Sequence, residues 1–265
     1  MVKKRKEKGG LYYLFKALWF VLKIPYYIGK GFYNLVKRDS SEGSVKKGKK
    51  RVSFRYAEFK VLKEISGSYD DFMSKVFNSE SQIGIILGSR GSGKTAFGVR
   101  FLENVYAKKG ERCYAMGFNE EEMPSWIEVV RDVSKVKNNS FVLIDEGGIL
   151  FSSRRSMSEA NKILSELILI SRHKNLSILF ISQNSSNLEV NILRQADFLA
   201  LKKSSLLQKD LERKIIQKVY DESEEDFKKF RDDKGLTYIY SDSFKGFISN
   251  PLPSFWKESI SKSFR

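Results

Sequence analysis

Apolar and polar positions divide the chain into segments of different period. Ile83-Gly84-Ile85-Ile86-Leu87 is a short unbroken apolar run, the pattern of a buried strand. Beyond it, Phe97, Val99, Phe101, Leu102 and Val105 recur at helical spacing. Further strand patterns follow at 112–117, 141–145, 176–182 and 198–201, and the segments between them read as helices over about 95–108, 125–135, 158–173 and 188–194. This alternation predicts an α/β domain, a parallel sheet flanked by helices on both faces. Ser205 to Tyr220 has the periodicity and mixed charge of a solvated helix. Leu236–Tyr240 and Phe247-Ile248 read as a hairpin that pairs at a sheet edge.

The N-terminal stretch has another texture. Residues 1–36 are a basic leader followed by an apolar, aromatic run, and Lys16, Lys23 and Lys30 along it, with Lys37 just after it, recur every seven residues. Seven residues are close to two helical turns, so these lysines form one stripe on a basic, aromatic amphipathic helix. Such a helix suits a membrane interface, with rings in the headgroup boundary and lysine stems reaching to water. Pro25 predicts a kink. A true span and a helix packed on the body or on a partner stay open as alternatives. No small-residue cleavage site follows the apolar run. The remaining organisation reads as a flexible basic linker over 37–51, a helical lead-in over 52–80, a core over 81–203, and a C-terminal helix, hairpin and tail over 204–265.

Charge sharpens this division. The 265 residues carry a formal charge of +16, yet residues 1–63 hold 18 Lys+Arg against four acids and the rest hold 30 against 28. The basic excess therefore points to an anionic membrane facing residues 1–36, on the cytoplasmic face of a membrane or against a virion or host membrane, more than to a body coated for nucleic acid. A single Cys, Cys113, and a single His, His173, exclude an internal disulfide and a His/Cys metal cluster, as expected of a reducing cytoplasm.

The residues with the most specific chemistry lie at the first core strand. Gly88-Ser89-Arg90-Gly91-Ser92-Gly93-Lys94-Thr95 fits G-x-x-x-x-G-K-[ST] at every fixed position, between a strand and a helix. Glycines let backbone N–H groups turn inward around phosphate, and the helix N-terminus adds positive potential. Lys94 is then expected to meet the β- and γ-phosphates of ATP, and Thr95 to ligate Mg2+. Phe141–Ile144 ends in Asp145-Glu146, an acidic pair that suits a second Mg2+ contact at Asp145 and a water-activating base at Glu146. Gln183, closing the strand after Ser182, is a candidate for sensing γ-phosphate and water. The strand between the two motifs and the Glu together predict a P-loop NTPase fold of the RecA-like, ASCE branch.

With GSRGSGKT, VLIDE and the run from Ile170-Ser171-Arg172-His173-Lys174-Asn175 into Ile178–Gln183 in place, the chain resembles the FtsK–HerA superfamily. It resembles in particular the viral genome-packaging ATPases and the Zot-like phage assembly proteins. Arg194 ahead of Ala196-Asp197-Phe198-Leu199 and the tail Pro251–Trp256 are further points of likeness. The resemblance covers about 81–203, more weakly to 256. It implies ATP-driven work on double-stranded DNA by a homo-oligomer, often a hexamer, completed by an arginine from a neighbouring subunit. Candidates for that arginine are Arg172 and Arg194, with Arg154 and Arg155 as alternatives. His173 is expected to be a hydrogen-bonded core or interface residue. A membrane-bound ATPase driving virion or filament assembly, and a nucleotide switch that does not hydrolyse, remain as other readings.

Overall fold

The computed structural model describes residues 53–146 and 157–262. The segments 1–36 and 37–51, and the pair Arg154-Arg155, lie outside the described residues. Among the described residues, nine strands form one sheet in the order β1-β9-β8-β7-β2-β6-β5-β3-β4. They are β1 (Lys60–Gly67), β2 (Ile83–Leu87), β3 (Arg112–Met116), β4 (Ile127–Val129), β5 (Ser140–Asp145), β6 (Leu176–Ile181), β7 (Phe198–Leu201), β8 (Leu236–Ser241) and β9 (Phe244–Ser249). The strands β7-β2-β6-β5-β3-β4 pair in parallel, whereas β8, β9 and β1 extend the sheet antiparallel beyond β7.

The helices are α1 (Tyr69–Asn78), α2 (Lys94–Lys109), α3 (Met157–Lys174), α4 (Val190–Arg194), α5 (Leu206–Leu211), α6 (Lys214–Lys229) and α7 (Glu258–Lys262). Alternate strand residues face opposite layers, as the pleat demands. Ile86, Phe141, Leu143, Leu179 and Ile181 pack with α1 and α2 on one face; Ile85, Leu87, Val142, Ile144 and Phe180 pack with α3 and α6 on the other. Burial on both faces explains why these strands read as continuous apolar runs.

Four expectations need correction. The lead-in 52–80 is helical only over α1; Lys60–Gly67 is an edge strand whose side chains point mostly to solvent and which backbone bonds to β9 hold in place. The segment 125–135 is not a helix. Pro124 opens it, Ile127–Val129 pairs with β3 as β4, and Val133–Lys135 is a single 3-10 turn capped by Asp132. The helix expected at 205–220 is two, broken at Glu212-Arg213. There the Glu212 carboxylate accepts from Ser185 N–H (2.6 Å), and Arg213 donates to the carbonyls of Ser185 (3.0 Å) and Leu188 (2.5 Å). The hairpin β8–β9 is not at the sheet edge: β8 lies against β7, and β1 covers β9.

Helix α2 is buried without a break from Ala96 to Val105, so its outer face is covered as well as its sheet face. That outer face carries Arg100, Glu103 and Asn104, and each is paired with a distant part of the chain. Arg100 and Glu103 form an ion pair (2.9 Å). Glu103 accepts from the backbone N–H of Arg55 (2.9 Å) and of Ser254 (3.0 Å). Arg100 donates to the carbonyls of Arg55 (2.9 Å) and Leu252 (3.1 Å). Asn104 exchanges two bonds with the Ala57 backbone (3.0 and 2.8 Å). The segments 53–57 and 252–254 are thereby clamped to the helix. Glu103→Ala leaves the Arg100 guanidinium buried without its carboxylate, and we expect a loss of about 3 kcal/mol in urea unfolding at unchanged m. A loss under about 1 kcal/mol would mean that the clamp adds little to stability.

Candidate nucleotide site

The loop between β2 and α2 is built from its glycines. Gly91 and Gly93 have φ of 77° and 90°, a region that side-chain-bearing residues rarely enter, and Gly93 is the N-cap of α2. A turn bond from Ser92 N–H to the Ser89 carbonyl (3.2 Å) closes the loop. Ser89 also ties it to the end of β7, donating N–H (3.1 Å) and Oγ (2.9 Å) to the Lys203 carbonyl. The Lys94 side chain curls back over the loop, donating from Nζ to the carbonyls of Gly88 (2.7 Å) and Ser89 (2.9 Å). Burial pushes its pKa down to about 8, against the opposing pull of Asp145, Glu146 and Glu212. The Ser92 hydroxyl is buried and makes no hydrogen bond, a donor suited to a phosphate oxygen. Arg90 is exposed on the loop.

The acidic pair ends β5. The Thr95 hydroxyl lies 3.5 Å from Asp145 Oδ2, which puts two hard oxygen donors together at the first turn of α2. Oxygen donors of this kind, with water and phosphate supplying the rest, fit Mg2+. Among the described residues no cluster of three or more His, Cys, Asp or Glu could hold a metal by itself. Glu146 is buried, and the Ser182 hydroxyl donates to its Oε2. Burial raises the Glu146 pKa and the Ser182 bond works against that rise.

In the sheet, β6 lies between β2 and β5, so Ser182 and Gln183 emerge between the loop and the acidic pair. Gln183 is exposed there, and its carbonyl accepts from the Gln208 side chain of α5. The site thus gathers Gly88, Ser89, Arg90, Gly91, Ser92, Gly93, Lys94, Thr95, Asp145 and Glu146, with Gln183 at its rim. It does not gather Arg172 or Arg194. Arg172 lies in the last turn of α3 ahead of β6 and Arg194 ends α4 ahead of β7, and both are exposed at the N-terminal ends of these strands, opposite the loop. His173 is likewise exposed there, not a core residue.

Two participants escaped the sequence reading. Ser182 bears directly on Glu146, and its position beside Gln183 at a strand end was the available signal. Lys202 is fully buried beneath the loop, and nothing in its local sequence marks it.

No family model and no curated protein matches the chain. Among solved structures, B204, the DNA-packaging ATPase from Sulfolobus Turreted Icosahedral Virus, is similar at 17% identity and a TM-score of 0.46, covering 66% of this chain and 99% of that one. The genome packaging NTPase B204 from Sulfolobus turreted icosahedral virus 2 in complex with ATP-gammaS gives 17%, a TM-score of 0.47, and 65% and 98%. EssC (ATPases 2 and 3) from Geobacillus thermodenitrificans gives 11%, a TM-score of 0.41, and 70% and 42%.

If Ser182 orients Glu146, Ser182→Ala should leave nucleotide affinity within about twofold and slow turnover by about tenfold or more. Equal losses in affinity and turnover would assign Ser182 to binding alone. The strand order β7-β2-β6-β5-β3, the glycine loop with its buried Lys94, and the acidic end of β5 make the fold that of a P-loop NTPase.

Proposed function

We propose that the chain is a Mg2+-dependent ATPase that drives a motor on double-stranded DNA, working as a homo-oligomer and attached to an anionic membrane through residues 1–36. One observation carries the enzymatic part: the loop lysine, the Thr95–Asp145 pair and the Ser182–Glu146 pair converge at the C-terminal ends of adjacent parallel strands. Ligands of open α/β sheets bind at that end, where the strand order reverses.

Loop N–H groups and the N-terminus of α2 receive the phosphates, and the Lys94 ammonium exchanges its loop carbonyls for β- and γ-oxygens. Thr95 Oγ1 and Asp145 would hold Mg2+, which when bound neutralises phosphate charge. Glu146, kept in place by Ser182, takes a proton from the attacking water at a carboxylate oxygen whose affinity for protons burial has raised. Arg172 and Arg194 sit at the far, N-terminal ends of the central strands. The six residues of β6 alone span about 20 Å, so these arginines suit a role across a contact with a second copy.

The DNA assignment draws on the sequence resemblance around Arg172, His173 and Gln183. The charge distribution favours a second reading, a membrane-bound ATPase that assembles or extrudes a protein filament, because the residues after 63 carry only a small basic excess. Hydrolysis by the full chain, measured with and without duplex DNA at low salt, separates the two. We expect stimulation of several-fold that fades steeply with added salt. An unstimulated rate sinks the motor reading and leaves the assembly ATPase. Glu146→Gln should keep ATP binding and lower turnover by about a hundredfold or more, whereas undiminished turnover takes Glu146 out of the chemistry. Deleting residues 1–36 should abolish co-sedimentation with anionic vesicles, and retained sedimentation would move the membrane contact elsewhere.

A further inference from the structure

Lys202 is a second lysine against the loop, approaching from behind. It follows β7, and its N–H donates to the Leu87 carbonyl (2.8 Å), so it sits beside Gly88. A Cβ on Gly88 would lie 2.6 Å from Lys202 Cβ and 3.1 Å from its carbonyl oxygen, so the loop backbone rests directly on this residue. The side chain then runs under the loop to the start of α2. Nζ comes 3.9 Å from where a Cβ on Gly93 would be, and 5.5 Å from the centre of the Phe97 ring.

The ammonium is fully buried and donates to two neutral acceptors, Asn250 Oδ1 (2.8 Å) and the Gly235 carbonyl (3.1 Å). Asp233 attracts it from farther away, but its Oδ1 is taken by Gly235 N–H (2.8 Å) and Ser249 Oγ (2.6 Å). The other groups around it do not neutralise it. Lys94 on α2 is a like charge, the Tyr220 hydroxyl of α6 donates to the Lys202 carbonyl (3.0 Å), and Lys203 is exposed. A buried cation at the positive end of a helix, with no carboxylate in contact, lacks its counter-charge. A polyphosphate cradled by the loop would supply it.

Building on the nucleotide reading above, we propose that Lys202 is a positioning residue of this site: its ammonium braces the loop from beneath, answers the charge of the bound polyphosphate, and passes that event to Asn250 and Gly235 at the base of the β8–β9 hairpin. Burial supports this by pushing the Lys202 pKa down to about 7, with Asp233 opposing. A nearby anion raises that pKa, so binding takes up a proton at pH values above about 7 and none well below it, where Lys202 is already charged.

The test is calorimetric titration of the full chain with Mg2+ and a non-hydrolysable ATP analogue near pH 7.8, in two buffers of different ionisation enthalpy. Lys94 contributes the same background to every variant. We expect Lys202→Met to lose about half a proton of uptake relative to wild type and to bind about tenfold more weakly at pH 7. Asn250→Asp places a carboxylate against the ammonium and keeps it charged beforehand, so uptake should fall similarly while affinity is retained. A merely structural lysine would not give that split. Circular dichroism and Tm establish folding, and if Lys202→Met does not fold, Asn250→Asp decides. Wild-type binding with unchanged uptake in Asn250→Asp overturns the inference and leaves the nucleotide site standing. No binding to wild type overturns the nucleotide reading and this inference with it.

Discussion

The structure depends on the burial of α2 along its whole circumference. A helix that begins at a phosphate loop must keep its first turn open to ligand, yet from Ala96 to Val105 this one is enclosed. Aromatic contacts close part of the outer face, with Phe59 against Phe97 (5.5 Å) and Phe101 (6.1 Å). Polar groups close the remainder. Burying Arg100, Glu103 and Asn104 is unfavourable unless each lone pair and proton is used, and backbone groups of 53–57 and 252–254 use them. Those partners are far away in sequence, so the seat of the loop is complete only once both flanking segments have docked.

From that seat the site follows by sheet order. β2 brings the loop to the top of the sheet, β6 and β7 flank it, and β5 lies one strand further along. The ends of the neighbouring strands hold the loop and the acidic pair. β7 receives Ser89 at the Lys203 carbonyl, β6 supplies the Ser182 hydroxyl to Glu146, and β5 brings Asp145 to Thr95. Rigid strands set these distances, so the loop needs few bonds of its own.

What could be read from the sequence was what local pattern determines. The unbroken apolar runs of β2, β5 and β6 and the helical spacing of Phe97, Phe101 and Leu102 express two-sided burial, and the loop residues are contiguous. Strand β1 was hidden because its residues are mostly exposed and partly basic; pairing with β9, nearly two hundred residues later, makes it a strand. The break between α5 and α6 was hidden for a similar reason. Glu212 and Arg213 would continue a helix on their own, and Ser185 and Leu188 draw their side chains away. At the site, Lys94, Thr95, Asp145 and Glu146 stood out by motif. Ser182 and Lys202 did not, since their roles arise from neighbours on other strands. Arg172 and Arg194 were legible as residues but not as positions: that both fall at the far ends of the strands follows from the direction of β6 and β7.

Charge shows the same division between composition and place. The chain's +16 resides almost wholly in its first 63 residues, and by that measure the rest is close to neutral. The two cations that bear on the loop are nonetheless among the least exposed lysines of the described residues. Their environments differ in a way that net charge cannot register. Lys94 is buried but feels Asp145 and Glu146, whereas Lys202 is buried more deeply against an amide and a carbonyl, with one carboxylate at a distance. Desolvation therefore acts more fully on Lys202, and a ligand's negative charge at the loop has correspondingly more to restore there. A surface lysine, already hydrated, would gain little from the same ligand. Burial, not the number of charges, makes this loop responsive to an anion.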